Sequence, residues 1–110
     1  MTRTAATTQN SAGADVRGDA LVVAGALQRE AVAALWSALP TSLGSLRSID
    51  LAAVTALDTA GLAWLVEVVV RARRSGAPTP RISNAPAGYA SLCMAYRIQP
   101  SLEAIADVAA

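Results

Sequence analysis

Apolar positions fall into short blocks that alternate between unbroken runs and helical stripes, with Gly, Pro, Asn or Asp at most of the breaks. Residues 20–27, ALVVAGAL, form a run with β-branched members, bounded by Gly18-Asp19 and by Gln28-Arg29-Glu30, and read as a buried strand. Val16 fits a preceding edge strand that turns at Arg17-Gly18-Asp19. From 28 to 39, Val32, Leu35, Trp36 and Leu39 stand at relative positions 0, 3, 4 and 7, one face of a helix that Pro40 closes. Trp36 lies on that apolar face and is assigned to the core. Residues 46–54, LRSIDLAAV, alternate imperfectly but suit a short central strand.

The strongest helix is predicted over 59–75, with Leu62, Leu65, Val66 and Val69 on one face and Gly76 in the capping position. A second short strand, TPRIS at 79–83, leads through Asn84-Ala85-Pro86 into a stripe of Tyr89, Leu92, Cys93 and Tyr96, with Pro86 suited to the first helical turn. After a turn at Pro100, EAIADVA at 103–109 fits a last short helix. Strands and helices thus alternate, which predicts one α/β domain over 14–110, with helices covering a small sheet. Residues 1–13, small and polar, are expected to be a flexible N-terminal tail.

Composition removes several functions. Hydrophobic residues make up 54% of the 110, yet the longest apolar stretch, GLAWLVEVVV at 61–70, is broken by Glu67 and followed by Arg71, Arg73 and Arg74. It reads as a buried helix, and no direct membrane insertion is expected. The first residues lack the apolar segment of a secretory signal, so export is not expected. With one cysteine, Cys93, and no histidine, no internal disulfide can form, zinc, triad and Cys-His chemistry are disfavoured, and no cofactor or metal is expected. All nine basic residues are arginine and the net charge is +1. The cluster at 71–74 suits the C-terminal end of a helix dipole better than a nucleic-acid patch, because no aromatics interleave with it and no second basic stripe exists.

The most distinctive hexamer is LDTAGL at 57–62. Asp58 and Thr59 fall where a strand ends and a helix begins, so either can cap unpaired N–H groups, worth about 1 kcal/mol. Gly61 lets another surface approach the backbone, although glycine lowers helix propensity by roughly 1 kcal/mol relative to Ala. One reading stops at capping and packing. The other makes Thr59 a displayed hydroxyl, either a possible phosphoacceptor in the positive field of a helix N-terminus or the mark of a docking surface that a negative charge would turn off. Helical projection groups Ala60, Trp64, Glu67, Arg71 and Arg74 opposite the apolar face. Trp64 then reads as a partly exposed interface anchor, unless the tail or a loop covers it. An enzyme is hard to build here: Asp50 and Asp58 could form a carboxylate pair only if the loop brings them together, and no His, Lys or second nucleophile supports them.

The stretch IDLAAVTALDTAGLAWLVEVVVRARRSGA resembles the signature region of STAS domains, the fold shared by bacterial anti-sigma-factor antagonists and the cytoplasmic part of sulfate transporters. The resemblance covers most of residues 20–102 and implies a single STAS-type α/β domain, a small mixed β-sheet covered by helices. Antagonists typically carry Asp-Ser-Ser-Gly-Leu at the motif. The sequence Asp58-Thr59-Ala60-Gly61-Leu62, with the ending ISNAPAGYASLCMAYRIQPSL, looks more like the small STAS subunit of the Mla phospholipid-transport ABC system. That resemblance implies a non-enzymatic subunit that binds the cytoplasmic ATPase and supports the complex, in the cytoplasm and peripheral to the inner membrane. It gives Thr59 a contact role, Asp58 a turn and capping role, and Gly61 a close-approach role, while Trp64 rests on helical projection alone. The alternative within the family is an anti-sigma-factor antagonist switched by a kinase acting on Thr59. Absence of Lys, an extra N-terminal tail and Trp64 depart from the family pattern.

Overall fold

A parallel pair of strands, each running straight into a helix, organises the molecule. The computed structural model describes residues 12–40 and 42–102. Its elements in chain order are β1 (Gly13–Arg17), β2 (Ala20–Leu27), α1 (Arg29–Ala38), β3 (Ser48–Leu57), α2 (Thr59–Arg74), β4 (Arg81–Ser83) and α3 (Tyr89–Ala95). The sheet has the order β1-β2-β3-β4. Strands β1 and β2 are an antiparallel hairpin turning at Gly18-Asp19, where Gly18 takes a φ of 62°. The β2/β3 and β3/β4 pairs are parallel, joined through α1 and α2. This is a mixed sheet with helices, the predicted class. The short helix expected at 103–109 and residues 1–11 of the expected tail lie outside the described residues, and Gly13 already belongs to β1.

The imperfect alternation of 46–54 has a structural cause. Val22 pairs with Asp50 but Ala24 with Ala53, and Gly25 pairs with Val54 but Ala26 with Ala56, so β3 carries two extra residues against β2. Leu51 and Val54 are therefore both buried although they stand three apart. The Asp50 carboxylate accepts from the Ala52 N–H inside the first bulge, 2.9 Å, and from the Asn84 side chain, 3.0 Å.

Leu21, Val23, Leu27, Ile49, Leu51 and Val54 supply the buried side of the sheet. Helix α2 packs against the sheet and touches α1 and α3 as well. Its buried set, which includes Leu62, Leu65 and Val69, extends to Gly61, Trp64, Val68, Val70 and Ala72. Trp64 is 0% exposed, so the expected interface anchor is a core residue. Projection allots a helix one buried face, but α2 has neighbours on several sides, and α1 covers the flank that carries Trp64. The Trp36 ring meets Trp64 edge to face at a centroid distance of 6.3 Å, and the Arg71 guanidinium lies 5.3 Å over the Trp36 ring.

The helix end is as predicted. Gly76 has a φ of 99°, its N–H bonds the Arg73 carbonyl, and the Ala77 N–H bonds the Ala72 carbonyl. This is a Schellman motif, with Arg71, Arg73 and Arg74 in the last turn, where they complement the helix dipole.

Candidate functional site

Leu27 and Leu57 are paired in parallel register, so β2 and β3 end together and release their chains into α1 and α2 side by side. Each helix start carries N–H groups without an intrahelical partner.

Asp58 ties the two starts together. Its backbone is extended, its Oδ1 accepts from the Gly61 N–H at 2.9 Å, and its Oδ2 accepts from the Arg29 N–H at 3.0 Å. One carboxylate thus caps α2 and holds the first residue of α1. Partial burial would raise the Asp58 pKa, but N–H donors from Gly61, Arg29 and Ala60 and the Arg29 charge outweigh it and hold the carboxyl below the ordinary carboxylate range. The capping role expected of Asp58 is present, and it reaches across to a second helix.

Gly61 is buried, and a Cβ there would run into the carbonyl group of Leu27 and crowd the Leu57 side chain. The close approach expected of this glycine is therefore made by the chain's own β2. An outside surface does not come near it, because the strand end already fills the space.

Thr59 is exposed, and its Oγ1 lies 3.3 Å from the phenol oxygen of Tyr96. It stands in a groove of about 420 Å³ with Arg29, Glu30, Asp58, Ala60 and Ala63. Of the five residues marked in the sequence, Asp58, Thr59 and Ala60 line this groove, while Gly61 and Trp64 are buried beneath the surface. Tyr96 was expected on an apolar helix face and is instead 53% exposed. Helix α3 ends at Ala95, and Arg97 turns the chain with a φ of 57°, so Tyr96 leaves the stripe that Tyr89 and Cys93 continue to occupy.

Sequence reasoning missed Arg29, Glu30, Ala63 and Tyr96. A signal for the first two was present: both strand-to-helix junctions, 27–30 and 57–60, follow runs that pair in parallel, and such junctions meet at one edge.

The arrangement suits recognition. Both Asp58 oxygens are engaged by backbone donors, and the Thr59 hydroxyl lies against the Tyr96 hydroxyl. Asp50 stands toward the other end of β3, eight residues away or roughly 20 Å along a strand shortened by its two bulges, so the carboxylate pair considered for an enzyme is not assembled. Among the described residues there is no group of three or more His, Cys, Asp or Glu that could hold a metal. No helix among them is long and apolar enough to cross a membrane. A family model described as Mlab, STAS domain matches residues 11–102. A search of curated proteins finds no match.

Proposed function

This chain belongs to the STAS domain family in its MlaB-like form, and on that premise we propose that it is a non-enzymatic accessory subunit. In this reading it binds the cytoplasmic ATPase subunit of a phospholipid-transport ABC complex, supports its assembly and activity, and is held at the inner membrane through that complex. The observation that carries the reading is the exposed Thr59 hydroxyl, at the start of α2 in a groove that Arg29 and Glu30 of α1 and the small side chains of Ala60 and Ala63 also line. Small side chains let a partner backbone come close, and neutral hydroxyls offer hydrogen bonds without charge to desolvate.

Titration of the purified ATPase subunit against the wild type and Thr59→Glu tests this. Glutamate brings an unpaired charge to the contact and is expected to weaken binding at least tenfold, with circular dichroism unchanged. Equal affinity of both forms would end the proposal.

A second reading, a kinase-regulated antagonist of an anti-sigma factor, draws on the same exposure, since a kinase could reach the hydroxyl. The capping geometry speaks against phosphate there. The Gly61 N–H that would receive it is already bonded to Asp58, whose carboxylate would repel it. Mass spectrometry of the protein isolated from cells separates the two: stoichiometric phosphate on Thr59 would favour the switch.

A further inference from the structure

Helix α1 begins without a cap of its own. Gln28, the residue before it, is extended with a φ of −135°, and its side chain serves none of the first N–H groups of the helix. The Arg29 N–H is served instead by Asp58 Oδ2, from 29 residues further along the chain. A backbone tie lies beside it, the Asp58 N–H bonding the Leu27 carbonyl at 3.3 Å.

The helix held in this way is lightly anchored. Of its ten residues, all among those described, Leu35 alone is fully buried, against eight of the sixteen in α2. Arg29 and Glu30 are exposed, and Ala31 and Val32 are half-buried. Packing therefore fixes the middle of α1, where Leu35 is buried and Trp36 meets Trp64, and leaves its first turn to the hydrogen bonds at its start. That turn carries Arg29 and Glu30, one wall of the Thr59 groove.

Capping α2 asks for less than Asp58 supplies. A serine at an N-cap offers one acceptor to the N–H at the third helical position, and this is the bond that Oδ1 makes to Gly61. Oδ2 is the additional group, and it runs sideways to α1. We infer that Asp58 is a positioning residue for docking at the Thr59 groove: through Oδ2 it holds the wall formed by Arg29 and Glu30 against the Thr59 end of α2, so that a partner meets a groove already in its binding shape. The inference rests on the docking reading of that groove and concerns how the site is kept ready, since ordering a loose wall on binding subtracts from affinity.

Two substitutions at Arg29 isolate the bond. Arg29→Ala removes the side chain and keeps the N–H. Arg29→Pro removes both, and proline is favoured at the first position of a helix, where it presets the helical φ. The Asp58 charge and its bond to Gly61 stay in place in both variants. The purified ATPase subunit is titrated against full-length wild type, Thr59→Glu and the two Arg29 variants, each first melted by circular dichroism. Arg29→Pro is expected to bind about fivefold more weakly than Arg29→Ala, although the two melt together. If α1 needed only a helical start, proline would serve at least as well as alanine. Equal affinities of the two, with Thr59→Glu still weakened, would overturn the inference and leave the docking reading standing. If Thr59→Glu binds like the wild type, both fall.

Should Arg29→Pro melt well below Arg29→Ala, Asp58→Ser takes its place, because its one oxygen still caps α2 and cannot also serve Arg29. Amide exchange in Asp58→Ser is expected to quicken about tenfold at Arg29 while Gly61 stays protected. Its affinity for the ATPase subunit is expected about fivefold below that of the wild type. Unchanged exchange at Arg29, or wild-type affinity, would overturn the inference.

Discussion

The hydroxyl oxygen of Thr59, first residue of α2, lies 3.3 Å from the phenol oxygen of Tyr96, the residue that closes α3. These two exposed groups join helix ends that stand far apart in sequence, and they turn one hydroxyl into a short polar ridge beside the groove.

Tyr96→Phe removes that bond and keeps the ring. Because both groups are exposed, water replaces the lost partner, and the expected cost is below about 1 kcal/mol. A urea unfolding curve that nearly superimposes on the wild type, with altered affinity for the ATPase subunit, would place Tyr96 in recognition and not in stability.

Asp58→Ala leaves the N–H groups of Gly61 and Arg29 without their acceptor. A single cap is worth about 1 kcal/mol, so loss of both is expected to cost about 2 kcal/mol. Chemical denaturation checks this, and a cost near zero would mean that water serves both donors equally well.

Acid should act through the same carboxylate. Asp58 titrates below its ordinary value in the fold, for the reasons given above, and Asp50 does so because the Asn84 side chain and the Ala52 N–H donate to it. A depressed folded pKa contributes stability that is complete above the unfolded value, about 4, and disappears as the pH falls through the folded value. The urea midpoint should therefore drop between pH 5 and pH 2, and less steeply in Asp58→Asn.

Gly61→Ala sets a Cβ against the backbone carbonyl of Leu27, which cannot swing aside as a side-chain end would. The expected loss is about 2–3 kcal/mol despite the better helix propensity of alanine. A stabilised variant in thermal melts would refute the packing assigned to this glycine.

Trp64 and Trp36 should be separable by fluorescence. In Trp36→Phe the remaining indole, Trp64, is fully buried and should emit at short wavelength and resist acrylamide quenching. In Trp64→Phe the half-buried Trp36 should be quenched readily. The Trp64 Nε1 is buried without a hydrogen-bond partner among the described residues, so Trp64→Phe relieves an unsatisfied donor and should cost less than the 3–5 kcal/mol typical of a large-to-small change in a core.

Local sequence determined the elements, because strand runs, helical stripes and breakers act within a few residues. Strand β2 spans the predicted 20–27, Gly76 caps α2, and Asp58 caps its start. The resemblance carried by DTAGL reached the family for the same reason: a strand-turn-helix junction is a local object. Periodicity, however, reports that a residue faces something apolar, and it does not count how many neighbours a helix has. Trp64 projected outward from a single stripe and was buried when α1 closed over its flank. Tyr96 projected inward and was released when α3 ended one residue earlier.

The groove itself belongs to tertiary structure alone. It exists because parallel pairing of Leu27 with Leu57 brings two junctions together that are thirty residues apart in the chain, and because Asp58 then bonds both helix starts. The hexamer could announce a displayed hydroxyl, but which residues surround it depends on strand register and chain crossover, and those are set by long-range burial that no short window of sequence contains.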